Sequence, residues 1–357
     1  MTATRPMSPL VRLYQPDERF EISEAGLAEW SKSKTFGRIV SFYHEYPLQS
    51  LISNESRALL HHLVMMRRPK RILEIGTFVL GTTEVFARAS WEAGVGHIDT
   101  IDPFGGERCP PILAAFPPEL RDRVTFTAVN SGSHFDKEIA HNRPYDFVFI
   151  DGNHEFEYAL FDLLCTARLI SPRGLVVLDN VDQPGPRLAT KTFLQHFPDW
   201  NDVAKVVGKI DPAAPFAPPT PSLQYTNFFL LEAPSYYAVG PEPRSFGSVP
   251  VDRAEVDGIE LELAEAPTAG QLHMHVYART FGLPEPEETQ CRQTVAFDRL
   301  APTSEGRVRI PLDKALRSAF DDPQLGRRVE IALAFTGLKR LALASPPLPY
   351  PAKHIVV

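Results

Sequence analysis

Tyr145-Asp146-Phe147-Val148-Phe149-Ile150-Asp151-Gly152-Asn153-His154 is the stretch that decides the fold of this chain. Five of its first six residues are β-branched or aromatic, and only Asp146 among them is charged. A segment apolar on both alternating faces is a strand buried on both sides, as in a parallel sheet covered by helices. The run then breaks into Asp-Gly-Asn-His at the carboxyl end of the strand. In open α/β sheets that edge is where ligands bind. An acid and a histidine three residues apart on such a rim are therefore candidates for chemistry.

Outward from this strand the chain alternates. Strands are predicted at 71–76, 97–102, 124–129, 145–151 and 174–179. Helices follow them at 81–93, from the second strand to about 120 with proline interruptions, and at 133–140, 156–169 and 186–197. Five βα units in series predict a parallel sheet with helices on both faces. Two further strands, 203–210 and 225–232, flank the proline-rich loop 211–221. Such a close pair most simply contains one antiparallel strand, and the loop is a lid candidate. The expected fold class is thus α/β, a doubly wound, mostly parallel seven-stranded sheet.

Before the first unit, Ser53 or Asn54 can cap a helix whose buried stripe is Leu59, Leu60, Leu63 and Val64. His61 and His62 lie on it, but neighbouring helical positions diverge too far to chelate one ion, so both read as structural. Residues 1–52 are broken by Pro6, Pro9, Pro16 and Pro47 and gather Phe42, Tyr43, His44 and Tyr46. They read as a cap over the domain at 53–234. From 235 to 357 short alternating segments follow, at 258–264, 271–281, 290–297, 307–312 and 328–335, with one short helix near 314–320. That pattern predicts a C-terminal, sandwich-like all-β domain. His273 and His275 share a strand face there, yet no acid or cysteine lies near them in sequence, so they are read as plain strand residues.

Composition narrows the function classes. A length of 357 residues allows two domains, and 43% hydrophobic with 23% charged residues is ordinary for a globular chain. The net charge of −7 and the lack of a long basic run argue against nucleic acid or an anionic membrane as main partner. Cys109, Cys165 and Cys291 are odd in number and far apart, which suggests neither disulfides nor a CxxC metal site and fits a reducing, cytoplasmic setting. The first ten residues lack the apolar core of a signal peptide, and no apolar run is long enough for a membrane span.

The first βα turn is Leu73-Glu74-Ile75-Gly76-Thr77-Phe78-Val79-Leu80-Gly81-Thr82-Thr83. One glycine ends the strand and another opens the helix, so the loop can lay a ligand against backbone N–H groups. A dinucleotide fingerprint would need glycine at the position of Phe78, whose side chain obstructs a pyrophosphate. Glu74 suits a cationic ligand group. Asp102 ends the second strand, where an acid can accept hydrogen bonds from a ribose diol. Together these features predict an adenosine cofactor without a phosphate chain, for which S-adenosylmethionine, with its positive amine and sulfonium, is the obvious candidate.

From about 53 to 232 the chain resembles the class I S-adenosylmethionine-dependent O-methyltransferases. Glu74-Ile75-Gly76-Thr77-Phe78 followed by Gly81-Thr82-Thr83 is similar to their first motif. Ile101-Asp102-Pro103 looks like their ribose acid, and Asn130-Ser131-Gly132-Ser133 resembles the segment that brackets adenine. Asp151-Gly152-Asn153-His154 followed by Asp162-Leu163 resembles a signature of the bacterial natural-product branch, which includes macrolide-sugar O-methyltransferases. Asp179-Asn180-Val181 is similar to the metal-binding pair of catechol and caffeoyl-CoA methyltransferases. The resemblance implies a Rossmann-like methyltransferase fold and a cofactor site built from Glu74, Gly76, Thr77, Thr83, Asp102, Ser133 and Asp151. It also implies a metal site of Asp151, Asp179 and Asn180, with His154 as base. Three departures stand out: Gly76 and Gly81 are one residue further apart than in most relatives, Asn153 replaces a frequent Asp, and His154 stands where catechol-type enzymes use lysine.

The residues support the same chemistry. Asp151 and Asp179 end neighbouring predicted strands, so their carboxylates can converge. With the amide oxygen of Asn180 they form a hard, all-oxygen set suited to magnesium. A hydroxyl bound to such an ion loses its proton more easily, and a histidine can accept that proton near neutral pH. The competing reading makes each acid a helix N-cap.

The expected function is metal-dependent methyl transfer from S-adenosylmethionine to a hydroxyl of a small molecule, such as a natural product, sugar or phenol. A homo-oligomer stays open. The rivals are a metal-independent N- or O-methyltransferase, a nucleotide-binding dehydrogenase and a non-catalytic binding protein that keeps the cofactor fold.

Overall fold

The structure, a computed structural model, describes residues 10–15, 20–48, 50–141, 143–207, 227–239, 244–251, 256–264, 271–280, 288–296, 307–311, 327–336, 341–344 and 348–351. Two helices come first, α1 (Glu24–Trp30) and α2 (Lys34–Glu45), each started by a serine. Ser23 Oγ accepts from the Gly26 N–H and Ser33 Oγ from the Phe36 N–H, both at 3.1 Å. Ser53 caps α3 (Asn54–Arg67) in the same way, accepting from the Ser56 N–H at 3.0 Å. These caps satisfy N–H groups that a helix start leaves without partners.

α3 is buried well beyond its leucine stripe. The Trp30 ring stacks on His62 with centroids 4.1 Å apart, and the Tyr14 hydroxyl meets His62 Nδ1 at 3.0 Å. His61 Nε2 reaches Glu92 at 3.3 Å. Burial, reinforced by His61, pushes His62 down to about 3. Both histidines are structural, as their spacing suggested.

The alternation then runs β1 (Arg71–Ile75), α4 (Gly81–Ala93), β2 (His97–Ile101), α5 (Cys109–Ala114), α6 (Pro118–Arg121), β3 (Val124–Thr127) and α7 (Ser131–His141). It continues through β4 (Tyr145–Ile150), α8 (Phe156–Leu169), β5 (Ile170–Leu178), α9 (Pro184–His196), β6 (Asn201–Val207) and β7 (Asn227–Glu232). The strands form one seven-stranded sheet in the order β3-β2-β1-β4-β5-β7-β6. β1 pairs parallel with β2 and β4, and β4 with β5. β7 is antiparallel to both β5 and β6, the single reversed strand that the close pair predicted. The loop 211–221, expected as a lid, lies outside the described residues.

Strand order reverses between β1 and β4, which opens a crevice at their carboxyl ends. Beneath it Phe147 and Phe149 of β4 are fully buried, and each meets Phe86 of α4 edge-on at 5.6 Å. Asp146, the one charge in that strand, accepts from the Lys70 and Arg71 N–H groups at 2.8 and 3.1 Å. It therefore ties the start of β1 to β4 without burying an unpaired carboxylate.

The chain divides into two compact units, Met1–Phe135 with Pro144–Ala233, and Asp136–Arg143 with Pro234–Val357. In the second unit the strands are β8 (Tyr237–Val239), β9 (Arg244–Val251), β10 (Val256–Glu262), β11 (Gln271–Thr280) and β12 (Glu288–Ala296). They are followed by β13 (Arg307–Pro311), β14 (Arg327–Thr336), β15 (Leu341–Leu343) and β16 (Leu348–Pro351). Antiparallel sheets are built in the orders β12-β11-β14-β9, β13-β10-β16 and β15-β8. β8, β9, β15 and β16 were not foreseen, because prolines surround or interrupt them. The expected helix near 314–320 lies outside the described residues. His273 is buried and its Nδ1 meets Thr294 Oγ1 at 3.0 Å across the β11–β12 pair, a strand contact as read. Among the described residues no helix is long and apolar enough to cross a membrane.

Candidate active site

The ends of β1, β2 and β4 are sewn together by backbone bonds. The Gly76 N–H donates to Ile101 O at 3.0 Å and the Asp151 N–H to Ile75 O at 2.9 Å. Gly76 has φ +98°, and a Cβ there would stand 2.0 Å from Asp151 O, so only glycine fits. Phe78 (φ 47°) and Leu80 (φ 65°) are also left-handed, without glycine's freedom. Each costs about 1–2 kcal/mol, and the surroundings hold them. Leu80 is fully buried. The Phe78 N–H donates to Asp102 Oδ2 at 2.9 Å, and Arg108 Nε donates to Phe78 O at 2.8 Å. The Phe78 ring stands at the rim, where it is 41% exposed with the Arg108 guanidinium 5.0 Å from its centre.

A cavity of about 750 Å³ opens at this edge. Of the sequence-predicted residues, Gly76, Thr77, Asp102, Asp151, His154, Asp179 and Asn180 line it together. Glu74 and Thr83 do not. Glu74 is fully buried behind the wall, where its Oε2 accepts from the Thr83 and Thr100 hydroxyls, the latter at 2.6 Å. Burial, with Asp151 and Asp102 acting in the same direction, pushes Glu74 up to about 8 against those two bonds. Its Oε1 has no partner among the described residues. Ser133 is exposed on α7, with its N–H bonded to Asn130 Oδ1 at 2.8 Å. Helical geometry explains both shifts: Gly81 and Thr82 of α4 face the cavity while Thr83 points at Glu74, and Asn130 and Ser131 stand where Ser133 was expected.

Asp102 is held by the Phe78 N–H, by the Phe104 N–H at 2.8 Å and by Arg108 Nη2 at 3.1 Å. Across the cavity, His154 Nε2 lies 3.3 Å from Asp151 Oδ1. That hydrogen bond raises the His154 pKa against its burial, with Gln183 and Asp182 adding to the rise. Burial raises Asp151, and raises Asp179 strongly with the Asp151 charge adding to it. Asp179 Oδ1 accepts the Asn180 N–H at 2.6 Å, and Asn180 turns the chain with φ 55°.

Asp162 of α8 also lines the cavity, and burial lifts it to about 6 while a bond from Ser131 opposes the rise. The sequence reading quoted Asp162 without giving it a role. Its signal was present: an acid on a helix stripe otherwise made of Ala159, Leu163 and Thr166. Among the described residues no lysine or arginine lines the cavity. Among the described residues no group of three His, Cys, Asp or Glu is placed to hold a metal ion. Two carboxylates with the Asn180 amide still make an oxygen donor set, whose crowded negative charge a cation would relieve.

Residues 73–181 match the family model of a methyltransferase domain. Among solved structures, an O-methyltransferase from Bacillus cereus in complex with SAH is 16% identical with a TM-score of 0.40, covering 56% of this chain and 90% of its own. The O-methyltransferase TomG from Streptomyces achromogenes, involved in tomaymycin synthesis and in complex with SAM, is 20% identical with a TM-score of 0.38, covering 57% and 90%. An SAH-bound methyltransferase from Podospora anserina is 16% identical with a TM-score of 0.34, covering 56% and 87%. A comparison with curated proteins finds no match. The matched residues carry Gly76, Asp102, Asp151, His154, Asp179 and Asn180, and the match to a methyltransferase domain supports enzyme status.

Proposed function

We propose that this domain transfers a methyl group from S-adenosylmethionine to a hydroxyl of a small molecule such as a sugar, phenol or related natural product, using a divalent cation, magnesium by its donors. One observation carries the reading: four carboxyls, Asp102, Asp151, Asp162 and Asp179, line the cavity, and among the described residues no lysine or arginine does. Such walls suit a sulfonium and an ammonium group. They repel a pyrophosphate, which disfavours the dehydrogenase reading. Asp102 at the end of β2 is the acceptor for a ribose diol, and the missing Cβ of Gly76 lets a ligand lie against the backbone.

Asp151, Asp179 and Asn180 would hold the cation, whose chemistry is to make the acceptor hydroxyl more acidic. His154 takes the hydroxyl proton, and Asp151 keeps its ring on the cavity wall. His154 must be neutral to accept the proton, so turnover should rise with pH as its ring loses its charge. The walls hold acceptor and methyl donor in register, and that positioning lowers the barrier by itself.

The test combines binding with turnover. S-adenosylhomocysteine should bind and raise the melting temperature by mass action on the native state, and Asp102→Ala should weaken it. Asp179→Ala should keep that affinity but lose magnesium-dependent turnover. His154→Ala should bind both and turn over roughly a hundredfold more slowly. Full activity in the presence of a chelator would move the reading to metal-independent transfer, with the acids as caps.

A further inference from the structure

A second cavity of about 330 Å³ adjoins the first, sharing Ser50, Leu51 and Phe78 with it. Tyr43 of α2 and Tyr46, the residue that ends it, form its walls with Phe78, and Arg57 of α3 lines it as well. Arg57 is only 3% exposed, and its guanidinium lies 5.2 Å from the centre of the Tyr43 ring. Its Nη2 donates to Leu48 O at 3.0 Å, but its Nε has no partner among the described residues.

Among the described residues the charge around Arg57 does not balance. The acid that acts on it is Glu84, and Glu84 is already bound by Arg88, whose Nε donates to Oε1 at 2.7 Å. The tyrosines contribute no negative charge, since burial holds both phenols above their ordinary pKa. Two guanidinium groups therefore face one carboxylate. A buried cation without a counter-charge is costly unless something pairs with it, and planar guanidinium matches a carboxylate in a two-pronged fashion.

We infer that this annex is the acceptor subsite, and that it selects a hydroxylated ring compound carrying a carboxylate, with the carboxylate on Arg57 and the ring among Tyr43, Tyr46 and Phe78. The inference rests on the methyl-transfer reading for its word acceptor, but the anion site stands or falls separately. The hydroxyl end of such a molecule extends past Leu51 and Phe78 into the acid-lined cavity. The two cavities thus have opposite electrostatic character. The larger takes the cationic methyl donor and the smaller takes an anionic tail, so each rejects the other's ligand.

Benzoate and benzyl alcohol are the probes, titrated calorimetrically into the full-length protein, with S-adenosylhomocysteine titrated in parallel. Benzoate should bind, with benzyl alcohol weaker by about thirtyfold or more, the order expected when a buried charge loses its partner. Arg57→Gln should lose benzoate binding while keeping S-adenosylhomocysteine affinity, and Arg57→Lys should restore part of it. Equal affinity for the two probes, no benzoate binding by the wild type, or benzoate affinity unchanged in Arg57→Gln would overturn the inference. If Arg57→Gln does not fold, the wild-type comparison and Arg57→Lys decide. Failure of S-adenosylhomocysteine alone to bind would instead overturn the methyl-transfer reading and leave the anion site in place.

Discussion

Glu74 shows how far a residue's chemistry departs from its type once it is buried. As an acid at a strand end it reads as a ligand for a cation; in the fold it is sealed behind Thr83 and Thr100 and keeps its proton to about pH 8. Its native pKa lies above the ordinary 4.5, so the native state binds the proton more tightly than the unfolded chain does. The resulting stability is fully present below the ordinary value and is lost as the pH rises through about 8. Glu74→Gln should remove a loss of a few kcal/mol between about pH 5 and about pH 9, read from urea midpoints. Parallel curves for the two proteins would mean that Glu74 is ionised throughout. At this same scale Asp151, His154 and Asp179 were legible because strand ends announce themselves by an apolar run breaking into polar residues. Asp162 was marked only by its place on an otherwise uncharged helix stripe and Arg57 by nothing, because which side of a helix meets a cavity depends on what packs against the other sides.

Among the elements, α3 is the clearest case of context overriding pattern. Its sequence shows one leucine stripe, whereas α1, α2 and Glu92 of α4 cover the flanks that carry His61 and His62. His62 has a native pKa near 3, below its ordinary 6.5, so the native state binds its proton less tightly. The stability it contributes is present above 6.5 and is lost as the pH falls from there toward 3. His62→Gln should flatten this acid sensitivity between about pH 7 and about pH 4 relative to wild type, at some cost in packing on Trp30. A variant as acid-sensitive as the wild type would place the effect in other groups. The strands were easier to read, since the period-2 and doubly apolar patterns of β1 to β5 depend little on which helices cover them.

For the whole molecule, the buried cluster that contains Leu13, Trp30, Phe86, Phe147 and Leu230 draws all its members, among the described residues, from the first unit. A chain ended at residue 234 should therefore fold and bind S-adenosylhomocysteine with unchanged affinity, measured by calorimetry and by a single cooperative melt. An insoluble product would show that the first unit's core needs residues beyond that point.

What the sequence determined by itself was the alternation of strands and helices, the single antiparallel strand and the acidic strand ends, because each is carried by local periodicity and by breaks in it. Tertiary structure alone decided that Glu74 and Thr83 turn away from the cavity, that Asp162 enters it and that, among the described residues, Arg57 is buried with only a carboxylate shared with Arg88 to offset it. Those outcomes depend on which faces of strands and helices packing turns inward, and no run of neighbouring residues encodes which face a distant element will cover.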